Sequence, residues 1–364
     1  MAGPHPRSFL AAPSPDNGRG LRPHVIERGG GSAGCRRAHG VLPLPRPAPP
    51  RAGAGGRGPA ALLLLLLLAP SPGWAHTGRP LAPHDLWTAW AFDPGVVAAL
   101  FLSAWLYSRG TERLWRRSGV GRGVRRWEAG CFAAGWVTLA VAMVSPLHPL
   151  GGVLFSAHMV QHELLMALAA PLLVLGRPML PFLWALPMSW RRAAGAGARR
   201  QAVRAGWRFV TAPFAAFALH AAALWLWHIP GPYQATLTSE WMHTLQHASF
   251  LGTGLLFWWA LVHGREGRMG YGAAVFYLFA TAMHSGGLGA LLTFARAPWY
   301  PEYGAAGAAW GLTPLEDQQL AGLIMWIPAG ASYLVAGLAL VAAWMRESER
   351  KAARWQDRAL LRPT

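Results

Sequence analysis

Charged side chains are scarce in this chain, and lysine is almost absent. Only 13% of its 364 residues are charged, 53% are hydrophobic, and Lys351 is the single lysine. This composition excludes a soluble enzyme and is typical of a polytopic membrane protein. The formal net charge of +18 comes from arginine-rich stretches that alternate with apolar ones, as in the cytoplasmic loops of membrane proteins. We therefore expect a lipid bilayer around the chain and no nucleic acid as a partner.

Cysteine is equally rare. Cys35 and Cys131 are the only two and lie far apart, so the sequence offers no disulfide framework and no CxxC metal motif. The sequence also lacks a nucleophile–base arrangement, a phosphate-binding loop and a carboxylate pair suited to hydrolysis, so we predict that the protein is not an enzyme. A retinal-binding role is excluded because Lys351 follows the last apolar segment, and no span offers an amine for a Schiff base.

The first 91 residues precede the predicted membrane domain. Residues 1–56 are rich in Pro, Gly and Arg and are predicted to be disordered or to reflect a wrongly assigned start codon. Residues 57–75 combine a basic flank, a short leucine-rich run and small residues, the pattern of a secretory signal peptide. We expect cleavage before His76 and a short periplasmic segment over 76–91. The freed amine and imidazole of His76 would then form a chelate suited to copper.

Seven apolar segments predict a seven-transmembrane helix bundle over residues 92–345, an all-α fold. Their predicted limits are 92–108, 128–146, 151–175, 211–228, 241–262, 271–294 and 318–345. The arginines fall in alternate connections, which by the positive-inside rule predicts an external N-terminus and a cytoplasmic C-terminus. Residues 346–364 then form a basic cytoplasmic tail.

Two of these segments carry a His-x-x-x-His pair. The first pair is His158 and His162, and the second is His243 and His247. Positions i and i+4 share one face of a helix, so each pair can direct two imidazoles at one point. Ionisable side chains inside a membrane mark functional sites by default, and neutral imidazole is the commonest protein ligand for transition metals. The pattern indicates a metal or haem site within the bundle.

Further histidines lie at comparable depth, nearer the predicted outer side. They are His148, His220, His228 and His284. Taken singly, His220 or His284 is more often a packing residue that hydrogen-bonds between helices, and a structural role for His148 and His228 is equally plausible. Methionines near the pairs favour Cu(I), although methionine is also a common gap-filler in apolar helices. Glu163, beside His162, is a candidate to orient a ligand histidine or to carry protons.

Several segments resemble the CtaG family of cytochrome c oxidase assembly factors, the seven-helix membrane kind. The resemblance is carried by AHMVQHELLMALAAPLLVLGRP (157–178), LWLWHIPGPYQATL (224–237), WMHTLQHASFLGTGLLFWW (241–259) and MHSGGLGALLTF (283–294). It implies a role in maturing a haem-copper oxidase around its copper centres, with oxidase subunits as partners, in the inner (plasma) membrane of a bacterium. By resemblance the site positions are His158, His162, His243, His247 and His284, with His148 and His228 behind them.

Three functions fit these observations. The first is a non-enzymatic assembly factor that binds copper in the outer half of the bundle. The second is an electron carrier with b-type haem held between two histidines, for which His162 and His247 are candidates. The third is a copper transporter with successive histidine-lined sites.

Overall fold

The computed structural model describes residues 81–264, 269–304 and 306–360, and these residues are helical with no strand among them. The predicted N-terminal extension, the signal peptide and His76 lie outside the described residues. The described part begins with a 3-10 helix, Pro83–Thr88, which precedes the first long helix. The all-α prediction is confirmed.

Thirteen α-helical segments follow one another along the described chain. They are α1 Pro94–Ser118, α2 Arg126–Val144, α3 Leu147–Gly151, α4 Phe155–Glu163, α5 Ala170–Leu175, α6 Met179–Ala185, α7 Met188–Arg199, α8 Gln201–Val210, α9 Pro213–Trp227, α10 Pro230–Thr238, α11 Glu240–His263, α12 Tyr271–Thr293 and α13 Pro314–Leu360. Two short 3-10 helices, Pro301–Tyr303 and Ala306–Trp310, lie between α12 and α13.

The number of membrane spans is smaller than predicted. Five helices among the described residues are long and apolar enough to cross a membrane, and the pair α8 and α9, bent by 62°, makes up to six. The predicted first span falls on α1. Its apolar stretch ends before Arg109, and the helix continues through the polar sequence Gly110–Ser118. That apolar stretch is shorter than the roughly 20 residues that a span needs. The seven-span count is not confirmed, and the orientation of the termini stays a prediction.

The helix that carries the first histidine pair changes its hydrogen bonding halfway along. Residues Leu164–Ala169 form a π-helical turn between α4 and α5, and the Ala170 amide donates to the Leu165 carbonyl. Pro171 explains the change, because it has no amide hydrogen to donate to the preceding turn. The indole N–H of Trp258 donates to the Met166 carbonyl at 2.8 Å and so gives a hydrogen-bond donor to a carbonyl of the π-turn. Such π-turns are frequent at functional sites.

The helices pack closely where glycines face each other. A Cβ atom added at Gly322 of α13 would lie 2.5 Å from the Gly289 carbonyl of α12. A Cβ atom at Gly289 would lie 2.9 Å from the Gly322 carbonyl. Small residues at such crossings let two membrane helices approach at backbone distance. This contact fixes the start of α13 against the rest of the bundle.

Candidate metal centre

Five histidines from three helices meet at one end of the bundle. His148 lies on α3, just after α2 ends. His158 lies in the first half of α4 and His162 in its last turn, while His243 and His247 lie near the N-terminal end of α11. Within the pairs, the ring centroids are 4.2 Å apart for His158 and His162 and 4.4 Å apart for His243 and His247. Between the pairs, His158 lies 5.3 Å from His243, and His162 lies 5.3 Å from His247. The two pairs therefore form one cluster.

The cluster contains two groups of three imidazoles. We call His158, His162 and His247 the inner triad, and His148, His243 and His247 the outer triad. In each triad, one nitrogen from every ring lies within 4.8 Å of the others. A metal–imidazole bond is about 2.0–2.1 Å long, so small side-chain movements bring three such nitrogens around one ion. The inner triad is fully buried, whereas His148 and His243 are half-buried.

Buried nitrogens of the inner triad lack protein partners. Neither ring nitrogen of His162 has a hydrogen-bond partner among the described residues, and the same holds for Nε2 of His247. Buried polar atoms are normally hydrogen-bonded, so an unpaired one calls for an explanation such as a ligand or an ion. Three neutral imidazoles suit copper, zinc, iron or nickel. The donor set of the inner triad therefore fits a transition metal.

Two glutamines orient the rings, and the sequence analysis missed both. The Nε2 atom of His158 lies 3.1 Å from Oε1 of Gln246, and the amide nitrogen of Gln161 lies 2.7 Å from Nδ1 of His148. Gln161 also donates to the Ala142 carbonyl at 2.7 Å, which fixes its amide group. The Gln246 carbonyl oxygen accepts from Nε2 of His158, which is how outer partners hold metal-ligating imidazoles in place. The Gln161 amide instead donates to Nδ1 of His148, so it engages the lone pair of that ring. A signal was present in the sequence, because both pairs read His-x-x-Gln-His.

His228 lies at the edge of the cluster. Its ring centroid is 6.5 Å from that of His162. Its Nδ1 lies 2.7 Å from the Leu224 carbonyl, which can only accept, so Nδ1 carries the proton and Nε2 the lone pair. That buried Nε2 has no hydrogen-bond partner within the described part of the chain. His228 belongs to neither triad, but it directs a lone pair into buried space.

His284 is not part of either triad. Its ring packs edge-on against Phe217, with centroids 5.4 Å apart, and it lies within electrostatic range of His220. His220 in turn lies 3.3 Å from the Thr253 hydroxyl and packs on Phe257. These contacts join α9, α11 and α12 by ring packing and one hydrogen bond, while the two buried ring nitrogens of His284 have no hydrogen-bond partner among the described residues. The two residues make a second, separate histidine pair.

The other candidates from the sequence have different surroundings. Met159, Met166 and Met325 are buried in a hydrophobic core, and Met283 is exposed. Their positions give no sign of thioether ligation. One carboxyl oxygen of Glu163 has no hydrogen-bond partner in the described chain, and its electrostatic neighbour is Tyr333 of α13. We find no contact between Glu163 and a triad imidazole among the described residues.

Aromatic rings close one side of the inner triad. Tyr233 lies 5.5 Å from His158, centroid to centroid, and packs with Phe155 and Tyr300. The Tyr303 hydroxyl lies 2.8 Å from the Tyr233 hydroxyl and donates to the Gly151 carbonyl at 3.1 Å. Burial raises the pKa of Tyr303 far above its ordinary value, so this phenol stays a donor. The network ties the loop before α13 to α3 and α10.

The N-terminus of α4 is held by a carboxylate from α13. Asp317, 3% exposed, accepts hydrogen bonds from the Phe155 amide at 2.6 Å and the Ser156 amide at 3.0 Å, and from the Ser156 hydroxyl at 2.5 Å. The first amides of a helix lack intrahelical partners, and a negative charge there is favourable. Asp317 therefore positions the helix that carries His158 and His162. The helix that Asp317 caps is therefore α4, and not the helix α13 that carries it.

Replacing Asp317 with alanine is expected to lower the free energy of unfolding by about 2–3 kcal/mol, because the buried donors of Phe155 and Ser156 lose a charged acceptor. Glu316→Ala is the matched control, since the neighbouring Glu316 is exposed and caps only its own helix through Thr313. Thermal unfolding in detergent measures the difference. Equal losses of stability in the two variants would contradict this role of Asp317.

The fold and the site define a helical membrane protein with a buried polyhistidine cluster. The family model described as "Cytochrome c oxidase caa3 assembly factor (Caa3_CtaG)" matches residues 105–347, so the chain belongs to that family. The resemblance drawn from the sequence is thereby confirmed. The family description associates the family with the assembly of cytochrome c oxidase.

The chain is also similar to uncharacterized mycobacterial proteins. Proteins of Mycobacterium bovis and Mycobacterium tuberculosis are each 30% identical to it over 285 residues, covering 74% of this chain and 41% of theirs. A Mycobacterium leprae protein is 28% identical over 288 residues with the same coverage. The chain therefore spans less than half the length of these relatives. No solved structure gives a significant match to this chain.

Proposed function

We propose that this protein is a membrane assembly factor that binds copper through its histidine cluster and passes it to a haem-copper cytochrome c oxidase. Copper is the cargo here, and the protein acts without catalytic turnover. The site is in the bacterial inner membrane, in a multi-pass chain that meets oxidase subunits there. If the signal peptide is cleaved before His76, this residue becomes the external N-terminus and adds a further copper ligand.

The observation that carries the proposal is the pair of three-imidazole triads. Each triad brings three ring nitrogens within 4.8 Å of one another, and buried nitrogens of His162 and His247 lack partners in the described chain. Among divalent first-row metals, copper binds such nitrogen sites most tightly. Membership of an oxidase assembly family supports copper over zinc, because the oxidase needs copper at its metal centres.

The haem alternative conflicts with the spacing of the cluster. A haem held by His162 and His247 needs a porphyrin plane between their rings, which are 5.3 Å apart. His158 lies 4.2 Å from His162 and 5.6 Å from His247, and Phe250 lies 4.6 Å from His162. These rings occupy the space that the edges of the macrocycle would fill.

The transporter alternative requires ligands along the whole path across the membrane. Both triads lie toward one end of the bundle, on the short helices α3 and α4 and the first turns of α11. Among the described residues, the deeper pair His220 and His284 belongs to neither triad. A cluster confined to one end favours handover to a partner over passage through the bundle.

Elemental analysis of the purified protein tests the proposal. We expect copper bound to the chain, little zinc or iron, and no Soret band in the absorption spectrum. The control is the His220→Ala/His284→Ala variant, which removes two membrane histidines outside the triads and should keep its copper. Iron together with a Soret band would indicate electron transfer instead of copper delivery. A purified protein that binds no metal when offered Cu(I) would contradict the proposed function.

A further inference from the structure

We propose that the two triads are successive stations for a single copper ion, with His247 as the ligand that both stations share. The inner triad stores the ion, and the outer triad exchanges it with donors and acceptors outside the bundle. This inference rests on the proposed function and adds a direction and an order of steps to it.

The sharing of His247 determines how many ions the cluster holds. A neutral imidazole has one protonated nitrogen and one nitrogen with a free lone pair. His247 therefore completes one triad at a time while its ring is neutral. Two ions in complete triads would need an imidazolate bridge, which costs a further proton. One ion that alternates between the triads needs no such change.

The two stations differ in their access to the surroundings. His158 and His162 are each only 1% exposed, and Phe250 and Tyr233 pack against them. His148 and His243, by contrast, are half-buried. An ion in the inner triad is therefore enclosed by protein on the side of the aromatic rings. The outer triad is the more accessible way in and out.

The spacing of the rings allows the ion to move without a movement of the helices. The outer rings of His148 and His243 stack at 5.3 Å, with planes 5° apart. His243 lies 5.3 Å from His158 across the cluster. Each step between neighbouring imidazoles is therefore of similar length, and the ion passes by exchange of one ligand at a time. An ion that must be released needs a series of sites that each bind it with moderate affinity.

The glutamines connect the two stations. Gln161 lies on the helix of the inner pair but contacts His148 of the outer triad. Gln246 lies on the helix of the outer pair but contacts His158 of the inner triad. Gln246 accepts from His158 and so supports a ring of the inner triad, whereas Gln161 donates to Nδ1 of His148 and competes with an ion for that lone pair. The outer triad is therefore the weaker of the two stations, as an exchange site must be.

Two double variants test the relay, with Cu(I) as the probe and transfer to bicinchoninate as the readout. The outer variant is His148→Ala/His243→Ala, and the inner variant is His158→Ala/His162→Ala. We expect one copper per chain in the unaltered protein. The outer variant should keep its ion in the inner triad and release it more slowly than the unaltered protein, because the accessible triad through which the ion leaves is removed. The inner variant should release copper faster than the unaltered protein.

Whether the outer variant releases copper more slowly or faster than the unaltered protein distinguishes this relay from a single site of five histidines. In a single site, loss of two ligands weakens binding, so the outer variant would release copper faster or bind none, and the relay would be wrong. Two copper ions per chain in the unaltered protein would also overturn it. No copper in the unaltered protein would instead remove the proposed function itself. His148→Gln/His243→Gln repeats the test with less change in volume, and His220→Ala/His284→Ala controls for the loss of buried histidines.

Discussion

Membranes that carry the His158→Ala/His162→Ala variant are expected to lose more than about tenfold of their cytochrome c oxidase activity, while the variant stays in the membrane. The physical reason is that both side chains are fully buried members of the inner triad, and only His247 remains there. Removing even an outer partner of a metal ligand typically costs about 10–100-fold in metal affinity or activity. The measurement is oxidase turnover in isolated membranes, normalised to the amount of the variant by immunoblot.

Two controls make this result specific. The His220→Ala/His284→Ala variant removes the same number of buried histidines from the same bundle and should leave oxidase activity near its normal level. Added copper in the growth medium should restore part of the activity of the first variant, since the defect is in supply. Normal oxidase activity with both His158 and His162 replaced would contradict the account.

His247→Ala is expected to cause the largest loss of copper affinity of any single substitution in the cluster. His247 is the one residue that belongs to both triads, so its removal leaves each with two ligands. We expect the affinity for Cu(I) to fall by about 100-fold or more, whereas His148→Ala, which leaves the inner triad complete, should change it little. Competition with bicinchoninate at graded concentrations measures both values.

A matched control lies on the same helix. His263 ends α11, stacks on Trp259 with ring centroids 4.1 Å apart, and is far from the cluster along the helix. His263→Ala should therefore leave copper affinity unchanged. If His247→Ala weakens binding no more than His148→Ala does, the shared ligand is not His247.

Helix periodicity was sufficient to predict the two histidine pairs as pairs. His158 with His162 and His243 with His247 follow from i and i+4 spacing, which places both rings on one face. Most helix limits also agreed with the apolar segments, as in α12, predicted at 271–294 and observed at Tyr271–Thr293. Local pattern determines such features, because hydrogen bonding and side-chain direction within a helix depend on near neighbours.

The convergence of the pairs was not predictable, because it depends on the order of the helices in space. The spacing in sequence does not show that His148 reaches the cluster on the short α3 or that Asp317 caps α4 from 161 residues away. His284, assigned to the site by resemblance, belongs to neither triad and packs with Phe217. The seven-span count is not confirmed at α1, where the polar sequence after Arg109 shortens the apolar stretch.

X-ray absorption at the copper edge of the copper-loaded protein tests the central claim most directly. Binding by a triad predicts three nitrogen neighbours at about 2.0–2.1 Å, the length of a metal–imidazole bond, with the outer-shell scattering of imidazole rings. The His158→Ala/His162→Ala variant should change that spectrum, whereas His220→Ala/His284→Ala should not. A first shell of sulfur or of oxygen without imidazole scattering, unchanged in both variants, would contradict the claim that this histidine cluster holds the copper.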